Sequence, residues 1–372
     1  MQRDELAAWL RLALTPGLGN AGARTLLQAF GLPAAVFTQA PEALAQVVHD
    51  SALRQALARE PADLQALLDT TWRWLQDGAG AHAVIALGDA EYPAPLLEIP
   101  DPPLLLYRLG QPARLAAPAL AVVGSRNPTA QGLQNARHFA RAFAETGITV
   151  VSGLALGIDG AAHEGALEGA ADDLALATIA VVGTGLDRVY PARHRELAHR
   201  IAAHGCLLSE YPLGTPPLAH NFPRRNRLIS GLGQGTLVVE AALESGSLIT
   251  ARLASEQGRE VFAIPGSIHA PQSRGCHALL RQGAKLVESA QDVLEDLRLA
   301  PPLPRDAPDA RAQAPQDDAL LAALGFDPVG LDALIARTGI AAPRLQARLL
   351  ELELEGEVAR LPGGLFQRLA RA

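Results

Sequence analysis

The stretch HNFPRRNRLISGLGQGTLVVE, residues 220–240, places three arginines within four positions. They are Arg224, Arg225 and Arg227, and an apolar run and the strand-like segment TLVVE follow them directly. A guanidinium group can bind phosphate through two parallel hydrogen bonds and can stack on a nucleobase, and the neighbouring Phe222 offers an aromatic face. The cluster therefore predicts a site for a polyanion at the edge of a folded core.

This cluster belongs to a basic stretch of an acidic chain. Residues 220–285 contain eight Lys and Arg side chains and four Glu side chains, whereas the 372-residue chain has a formal net charge of −7. That net charge argues against a nucleic-acid surface spread over the whole protein, but it leaves local sites open. In the alternative interpretation, the arginines brace the sheet edge by pairing with Asp159, Glu210 and Glu240.

Glycine-rich loops follow three predicted strands, at residues 124–132 (GSRNPTAQG), 152–163 (SGLALGIDGAAH) and 183–191 (GTGLDRVYP). Because the carboxyl ends of parallel strands meet at one edge of a sheet, we expect these loops beside the arginine cluster. Glycine allows a phosphate to approach backbone N–H groups at the start of a helix. Ser245, Gly246 and Ser247 open another predicted helix and add hydroxyl and N–H donors. The ligand expected here is a polyanion or a nucleotide.

Common nucleotide-binding motifs are incomplete or missing. Gly183 and Gly185 begin like the dinucleotide fingerprint G-x-G-x-x-G, but Arg188 occupies the third glycine position, and no G-x-x-x-x-G-K-[ST] is present. Cys206 and Cys276 lie far apart in no metal-ligand spacing, which is typical of a reduced protein. We therefore expect neither a metal nor a cofactor.

The sequence is also poor in catalytic constellations. Asp159 and His163 lie four residues apart on a predicted helix and could form a hydrolytic pair, but no G-x-S-x-G elbow accompanies them. A structural role for His163 is the favoured interpretation. Glu240, at the end of its strand, is the best single catalytic candidate.

The elements that must position these residues alternate between strands and helices from Leu120 onwards, beginning with LAVVG, TVVSG, TIAVVG and CLLSEYP. Short, continuously apolar strands separated by amphipathic helices predict a Rossmann-like, doubly wound and mostly parallel α/β sheet covered on both faces. We assign this domain to residues 81–298. Within it, the proline-rich residues 92–110 are predicted to form an irregular connector.

Two smaller domains are predicted to flank the sheet. Residues 1–80 show helical spacing and are assigned to a SAM-like or helix-hairpin-helix domain. Within them, TPGLGNAG at residues 15–22 resembles a helix-hairpin-helix turn that can hold a DNA phosphate. A plain turn in a helical bundle is the alternative. Residues 299–316 form a Pro/Ala-rich linker, and residues 317–372 have the order of a winged helix. Its third helix carries Arg344 and Arg348 among more numerous acidic residues, so DNA binding, a protein contact and a structural role all remain open.

Composition and length support a folded, multidomain protein. The chain is 49% hydrophobic and too long for one typical core. Its start, MQRDELAAWLRLAL, carries acidic residues and lacks a cleavage site, and no run approaches the ~18 apolar residues of a membrane helix. We expect a cytoplasmic protein without a membrane partner.

Taken in order, the motifs VVGSR, SGLALGIDGAAH, GTGLDRVYP, LLSEYP, NFPRRNRLISGL, TLVVEA, SGSLITA and VFAIPGSI closely resemble the DNA-processing protein A family, DprA, also called Smf. The resemblance implies a non-enzymatic protein of natural transformation that binds and protects incoming single-stranded DNA. It also implies homodimers formed through the Rossmann-like domain and assistance in loading the recombinase RecA. The implied DNA-binding residues are Ser125, Arg126, Gly153, Gly157, Gly183, Gly185, Phe222, Arg224, Arg225, Asn226, Arg227, Ser245, Gly246 and Ser247.

An enzymatic alternative comes from a second resemblance. The segment GQGTLVVEAALESG is similar to the PGGxGTxxE loop of cytokinin-activating phosphoribohydrolases, in which Glu240 would be the catalytic residue. Ser230, Gly231 and Leu232 stand where PGG is expected. Single-stranded DNA binding is therefore the favoured function.

Overall fold

The computed structural model describes residues 1–111, 117–170, 176–299 and 319–369. The predicted linker lies outside the described residues except for Leu299, as do the first two residues assigned to the winged-helix domain. No helix in these ranges is long and apolar enough to cross a membrane.

The first part of the chain is helical, as its spacing predicts. The helices are α1 (Arg3–Leu14), α2 (Asn20–Phe30), α3 (Pro33–Phe37), α4 (Pro41–Val47), α5 (Ser51–Ala58) and α6 (Leu64–Asp77). The turn between α1 and α2, the predicted DNA-binding hairpin, is tied to a later segment of the chain. Asn20 and Arg24 donate to the Asp101 carboxylate at 3.1 and 3.3 Å, and Arg24 also donates to the carbonyl oxygens of Pro100 and Pro102. These side chains hold the turn against residues 100–102, and DNA binding by its backbone N–H groups stays a prediction.

A nine-stranded sheet forms within residues 82–286 of the described chain. Its strands are β1 (His82–Ala86), β2 (Leu105–Gly110), β3 (Ala119–Val123), β4 (Thr149–Ser152), β5 (Thr178–Val181), β6 (Cys206–Ser209), β7 (Gly235–Val238), β8 (Glu260–Ala263) and β9 (Lys285–Leu286). The spatial order is β1-β2-β6-β5-β4-β3-β7-β8-β9, parallel from β6 to β9. The predicted mostly parallel α/β class is confirmed.

Helices cover both faces of the parallel part. They are α7 (Ala94–Leu97), α8 (Ala130–Glu145), α9 (Ile158–Gly169), α10 (Arg195–His204), α11 (Asn221–Leu232), α12 (Gly246–Glu256), α13 (Arg274–Arg281) and α14 (Ala290–Leu297). Apolar residues of α8, α9 and α14 pack on one face, and those of α11, α12 and α13 on the other. The chain leaves β3 towards β4 and returns at β7 on its other side. This reversal creates a crevice at the carboxyl ends, where ligands of such sheets bind.

The prediction of an irregular connector at residues 92–110 was wrong for its last part. Residues Leu105–Gly110 form β2, which pairs antiparallel with both β1 and β6. Prolines at 100, 102 and 103 dominate the local pattern, whereas the strand is stabilised by a partner about a hundred residues later in the chain. The short apolar run of the strand was therefore missed because of the prolines directly before it.

The C-terminal part forms its own small core. Its elements are α15 (Ala319–Leu324), β10 (Val329–Gly330), α16 (Leu331–Thr338), α17 (Ala342–Leu354), β11 (Val358–Leu361) and β12 (Leu365–Arg368). Leu334, Leu345, Leu349 and Phe366 are buried together. Three helices followed by a β-hairpin confirm the predicted winged-helix fold. The exact domain boundaries stay predictions.

Candidate nucleic-acid interface

A cavity of about 680 Å³ lies at the carboxyl ends of the parallel strands, beside the reversal between β3 and β7. The loop after β3, the start of α9 and the first turns of α11 and α12 line it. The structure brings eight of the predicted site residues together in this lining: Ser125, Arg126, Phe222, Arg225, Asn226, Ser245, Gly246 and Ser247. Asp159 and Tyr190, which were not among the predicted contacts, also belong to it.

Arg225 is the arginine of the cluster that faces this cavity. Its side chain is held inside the protein at 4% exposure, where Nη1 donates to the carbonyl oxygens of Gly153, at 2.6 Å, and Val181. Burial lowers the pKa of Arg225 to about 10, partly offset by the negative charge of Asp159. The group therefore remains charged at neutral pH. It links the ends of β4 and β5 and carries a positive charge to the cavity lining.

Asp159, on α9, partly balances that charge. Its Oδ2 accepts hydrogen bonds from the backbone N–H groups of Gly153 and Ala155, at 3.1 and 3.3 Å. Burial raises the pKa of Asp159, whereas the charge of Arg225 and these two N–H groups oppose the rise. A buried cation and a buried anion thus stabilise each other in the lining. Their opposite charges offset each other without a direct ion pair, so the net charge of the cavity depends on its more exposed residues.

Arg126 supplies an exposed positive charge at the same place. It lies in the loop after β3, and no acidic group of the described chain comes within ion-pair distance, 4.0 Å, of its guanidinium. An unpaired, hydrated guanidinium can engage a phosphate without first breaking a protein contact. Glu244 also lines the cavity and is exposed, so its negative charge opposes the positive charge of Arg126.

The start of α12 adds a helix N-terminus to the cavity. Ser245 is the N-cap: its Oγ accepts from the Ser247 N–H at 3.3 Å and contacts the Ser247 hydroxyl at 2.7 Å. The Asn226 side chain reaches the Gly246 carbonyl at 3.5 Å, a long contact between α11 and α12. The two serines thus cap the helix, while the positive end of the helix dipole faces the cavity.

Two aromatic rings form one wall. The rings of Phe222 and Tyr190 lie 5.5 Å apart, tilted by 40°, and Tyr190 is 48% exposed. Aromatic faces of this kind stack on unpaired bases irrespective of sequence. Phe222 was predicted from the sequence and Tyr190 was not. The position of Tyr190 near the end of the third glycine-rich loop is the sequence signal that indicates it as a site residue.

The other two arginines of the cluster lie elsewhere. Arg227 forms a two-pronged ion pair with Glu210 at 2.7 and 2.6 Å and approaches Asp101 at 3.3 Å. Arg224 is exposed and lines a separate cavity of about 140 Å³ against α1 and α6. Arg227 therefore braces the sheet edge by pairing with Glu210, one of the three acidic residues considered for that role.

Four predicted glycine contacts, Gly153, Gly157, Gly183 and Gly185, are not part of the cavity lining. The N–H groups of Gly153 and Gly185 already donate to Asp159 and to the Thr215 carbonyl oxygen, each at 3.1 Å. These two N–H groups are therefore not available to a phosphate.

The same glycines allow close packing around the site. A Cβ at Gly153 would lie 2.3 Å from Nη1 of Arg225, and one at Gly183 would lie 3.2 Å from the Phe222 ring. Gly157 combines a φ of +81° with a Cβ position 2.4 Å from the Ser125 carbonyl oxygen. Their absent side chains make room for the residues that do line the cavity.

The candidate catalytic residues have structural partners. The Glu240 carboxylate accepts hydrogen bonds from the Thr129 hydroxyl and N–H, at 2.6 and 2.9 Å, and so holds the start of α8. His163 is fully buried, with Nδ1 2.7 Å from the Thr178 hydroxyl, and burial lowers its pKa to about 3. In the described ranges, no three His, Cys, Asp or Glu side chains converge on a metal position.

Comparison with known proteins gives this site a family context. Residues 83–298 match the family model described as DNA recombination-mediator protein A. Protein Smf of Escherichia coli is 45% identical over 313 residues, which cover 82% of each chain. The chain belongs to the DNA recombination-mediator protein A family. Residues 303–364 also match the DprA winged helix domain model, in agreement with the C-terminal fold.

Solved structures of the DNA recombination-mediator protein A family share this architecture. DNA processing protein A from Streptococcus pneumoniae aligns with a TM-score of 0.65 and 37% identity, covering 80% of this chain and 98% of the other. DNA processing protein A from Helicobacter pylori, described for its single-stranded DNA binding mode, aligns with a TM-score of 0.52 and 32% identity. That alignment covers 58% of this chain and 95% of the other. The chain is thus a member of a family of DNA-processing proteins.

Proposed function

We propose that this protein binds single-stranded DNA in the cavity at the carboxyl ends of β3, β4 and β7, and that it acts in natural transformation and recombination. The observation that carries the proposal is the combination of the unpaired Arg126, the N-terminus of α12 and the Tyr190–Phe222 wall in one cavity. Positive groups that track phosphates, beside aromatic faces that stack bases, are the common features of single-strand sites.

The shape of the cavity favours a single strand over a duplex. Its walls are loops and helix ends of one sheet edge, so an unstacked base and its phosphate can enter. A duplex keeps its bases stacked and paired, which prevents them from reaching the Tyr190–Phe222 wall. We expect fluorescence anisotropy to show at least tenfold tighter binding of oligo-dT than of a duplex of equal length.

The direct test is Arg126→Ala. Loss of one charged hydrogen bond to phosphate is expected to weaken oligo-dT binding by at least ~1 kcal/mol. The slope of log affinity against log salt should also fall by about 0.7, the value of one phosphate contact on a single strand. Arg141→Ala is the matched control, since Arg141 is an exposed arginine on α8 paired with Glu145. Unchanged affinity and slope in a folded Arg126→Ala protein would contradict the proposal.

Binding without catalysis is part of the proposal. Glu240, the residue that the enzymatic alternative requires, is engaged with Thr129, and it is not part of the cavity lining. We therefore expect no release of free base when 5′-mononucleotides are incubated with the protein. Base release that Glu240→Gln abolishes would support the hydrolase instead.

A homodimer formed through the Rossmann-like domain is also proposed. A groove of about 700 Å³ between α12 and α13 is lined by the exposed Leu243 and the partly buried Leu248 and Ile249, with charges of both signs on its border. A two-fold contact brings the same surface of both subunits together, and it would bury these apolar side chains. Leu243, 58% exposed beside the groove, offers a variant that spares the core. Sedimentation equilibrium should show monomers for Leu243→Glu and dimers for the control Leu133→Glu on α8, whereas dimers in both would contradict this interface.

Assistance to RecA is the last element of the proposal. It is supported by membership of a family described as recombination mediators. Adding the protein is expected to shorten the lag before RecA hydrolyses ATP on single strands already covered by a single-strand-binding protein. Arg126→Ala should restore the lag, because mediation requires the proposed DNA contact. An equal lag with and without the wild-type protein would contradict a loading role.

A further inference from the structure

The winged-helix fold leaves an apolar stripe on the exposed side of α17, its third helix. The side of α17 that faces the small core carries three leucines: Leu345, Leu349 and Leu352. The opposite side carries four exposed apolar residues at spacings of four, three and four: Pro343, Ala347, Leu350 and Leu354. Leu350 is 57% exposed and Leu354 82%, the largest exposure of any large hydrophobic side chain in the described ranges. Residues at this spacing line up along a helix, and such a patch is typical of a contact surface.

This stripe is unsuited to reading DNA. A recognition helix reads base edges through hydrogen-bond donors and acceptors, and it gains affinity from positive charges near phosphates. The four stripe side chains have neither donors nor acceptors, and Glu351 and Glu355 stand beside them. Residues 319–369 contain five arginines but six acidic residues, so the domain has no excess of positive charge for phosphates. Of the three roles left open for this helix, a protein contact is therefore favoured.

Charged residues on one flank of the stripe are divided by sign along the helix. Arg344 and Arg348 come first, and Glu351 and the C-cap residue Glu355 follow. With ~100° per residue, these four side chains fall within ~60° of each other around the helix axis. Arg348 approaches Glu351 at 2.8 Å, whereas no acidic group of the described chain lies within 4.0 Å of the Arg344 guanidinium. The flank is therefore positive at its start and negative at its end.

A helix with this charge order is complementary to a second, antiparallel copy of itself. A two-fold axis between positions 349 and 350 places Arg344 opposite Glu355 of the second copy and Arg348 opposite Glu351 of the second copy, because both pairs of positions share this midpoint. The same axis brings the two apolar stripes together, with Leu350 of each copy near the axis. Arg344 thereby gains the carboxylate that it lacks within its own chain.

The stripe alone is too small to hold two separate chains together. Four residues per copy, on a helix about 20 Å long, bury less than the ~1,200 Å² of a stable interface. A second contact elsewhere removes this shortfall, because it turns the pairing into an intramolecular event at millimolar effective concentration. The proposed homodimer through the Rossmann-like domain is such a contact. Residues 300–318, which join Leu299 to Ala319, can span up to ~65 Å, so the two winged-helix domains can meet beside it.

Resting on the proposed homodimer, we propose that the two winged-helix domains of one dimer pair through α17, with the helices antiparallel and the apolar stripes in contact. The occupant of the stripe is thus a second copy of this chain. The stripe is covered in the dimer and exposed in the monomer. The winged helix then acts as a second dimer contact and leaves DNA to the cavity of the sheet domain.

Disulfide trapping tests whether the helices meet. Cys206 and Cys276 are buried, so an added exposed cysteine is the group that reacts. Under mild oxidation, Leu350→Cys should form linked dimers at least tenfold faster than Ala336→Cys, an exposed position of α16 outside the stripe. Adding Leu243→Glu, which separates the proposed dimer, should slow the linkage of Leu350→Cys at least tenfold at ~1 µM protein.

Charge reversal tests the antiparallel register. In the Leu350→Cys protein, Arg344→Glu or Glu355→Arg should each slow linkage about fivefold, because like charges then meet across the axis. Both reversals together should restore the rate to within twofold. Positions 344 and 355 lie about 16 Å apart along one helix, so they cannot meet within one chain. Recovery in the double variant therefore requires two copies, and its absence would overturn the register.

The remaining outcomes separate this pairing from the proposed function. A protein that sediments as a dimer, but whose Leu350→Cys variant links no faster than Ala336→Cys, would overturn the pairing and leave the proposed dimer intact. A wild-type protein that sediments as a monomer would overturn both. If DNA slows maleimide labelling of Leu350→Cys in the Leu243→Glu protein, the stripe contacts DNA, and the pairing is again overturned.

Discussion

Replacement of Arg227 by alanine should destabilise the protein without removing a DNA contact. The side chains of Arg227 and Glu210 are 11% and 7% exposed, and two hydrogen bonds of 2.7 and 2.6 Å join them. Alanine leaves the Glu210 carboxylate buried without its cation, and breaking a buried pair in this way costs about 3–5 kcal/mol. Asp101 adds at most ~1 kcal/mol, because it is 39% exposed and its distance is 3.3 Å.

Urea unfolding at neutral pH measures this cost. Arg227→Ala should lower the free energy of unfolding by about 3 kcal/mol or more, whereas Arg227→Met combined with Glu210→Met should recover most of the loss, because buried ion pairs are often replaceable by apolar residues. A cost below about 1 kcal/mol for the single variant would refute the reasoning. So would a double variant no more stable than the single one.

The same variant separates bracing from contact. If Arg227 holds α11 in place without touching phosphate, Arg227→Ala can lower affinity for oligo-dT but leaves the salt slope unchanged. Arg126→Ala is the comparison, since its slope should fall by about 0.7. An equal fall in both variants would show that Arg227 also meets a phosphate.

Two further predictions concern packing and pH. Gly153→Ala should displace the Arg225 guanidinium, because the new Cβ would lie 2.3 Å from Nη1, and should therefore weaken oligo-dT binding. An affinity equal to that of the wild type would contradict this. The pKa of buried His163 is lowered to about 3, so the stability from its neutral form is present above pH ~6.5 and decreases as the pH falls towards 3. Between about pH 7.5 and pH 5, protonation of His163 in the unfolded state should lower the free energy of unfolding by ~2 kcal/mol, as measured by urea unfolding. In the His163→Asn protein, where Asn can keep a hydrogen bond to Thr178, that part of the pH dependence should be absent.

Much of the fold could be predicted because its signals are local. The strands that became β3 to β9 are short apolar runs separated by amphipathic helices, and this pattern alone predicts a parallel sheet. The winged helix was predictable in the same way. Strand β2 was missed, because the prolines at 100, 102 and 103 directly before it favour an irregular segment.

The candidate site was predicted as a set of loops, because strand ends can be located from the pattern. Tyr190, one of the members that were not predicted, contacts Phe222, which lies thirty-two residues later in the chain. The glycines were predicted as phosphate contacts, yet two of their N–H groups proved to be occupied within the protein. Hydrogen-bond partners of a loop are set by its neighbours in space, so the chain order does not reveal them.

The sequence by itself determined that three arginines gather on one segment at the ligand-binding edge of a parallel sheet. Only the tertiary structure decided their separate roles. On α11, successive residues are turned by ~100°, so Arg224, Arg225 and Arg227 face different surroundings. Arg225 meets the ends of β4 and β5, Arg227 meets Glu210, and Arg224 lies towards α1 and α6. The helical geometry of α11 makes the three side chains point in different directions. The packing of α11 against the sheet determines which of them faces the cavity.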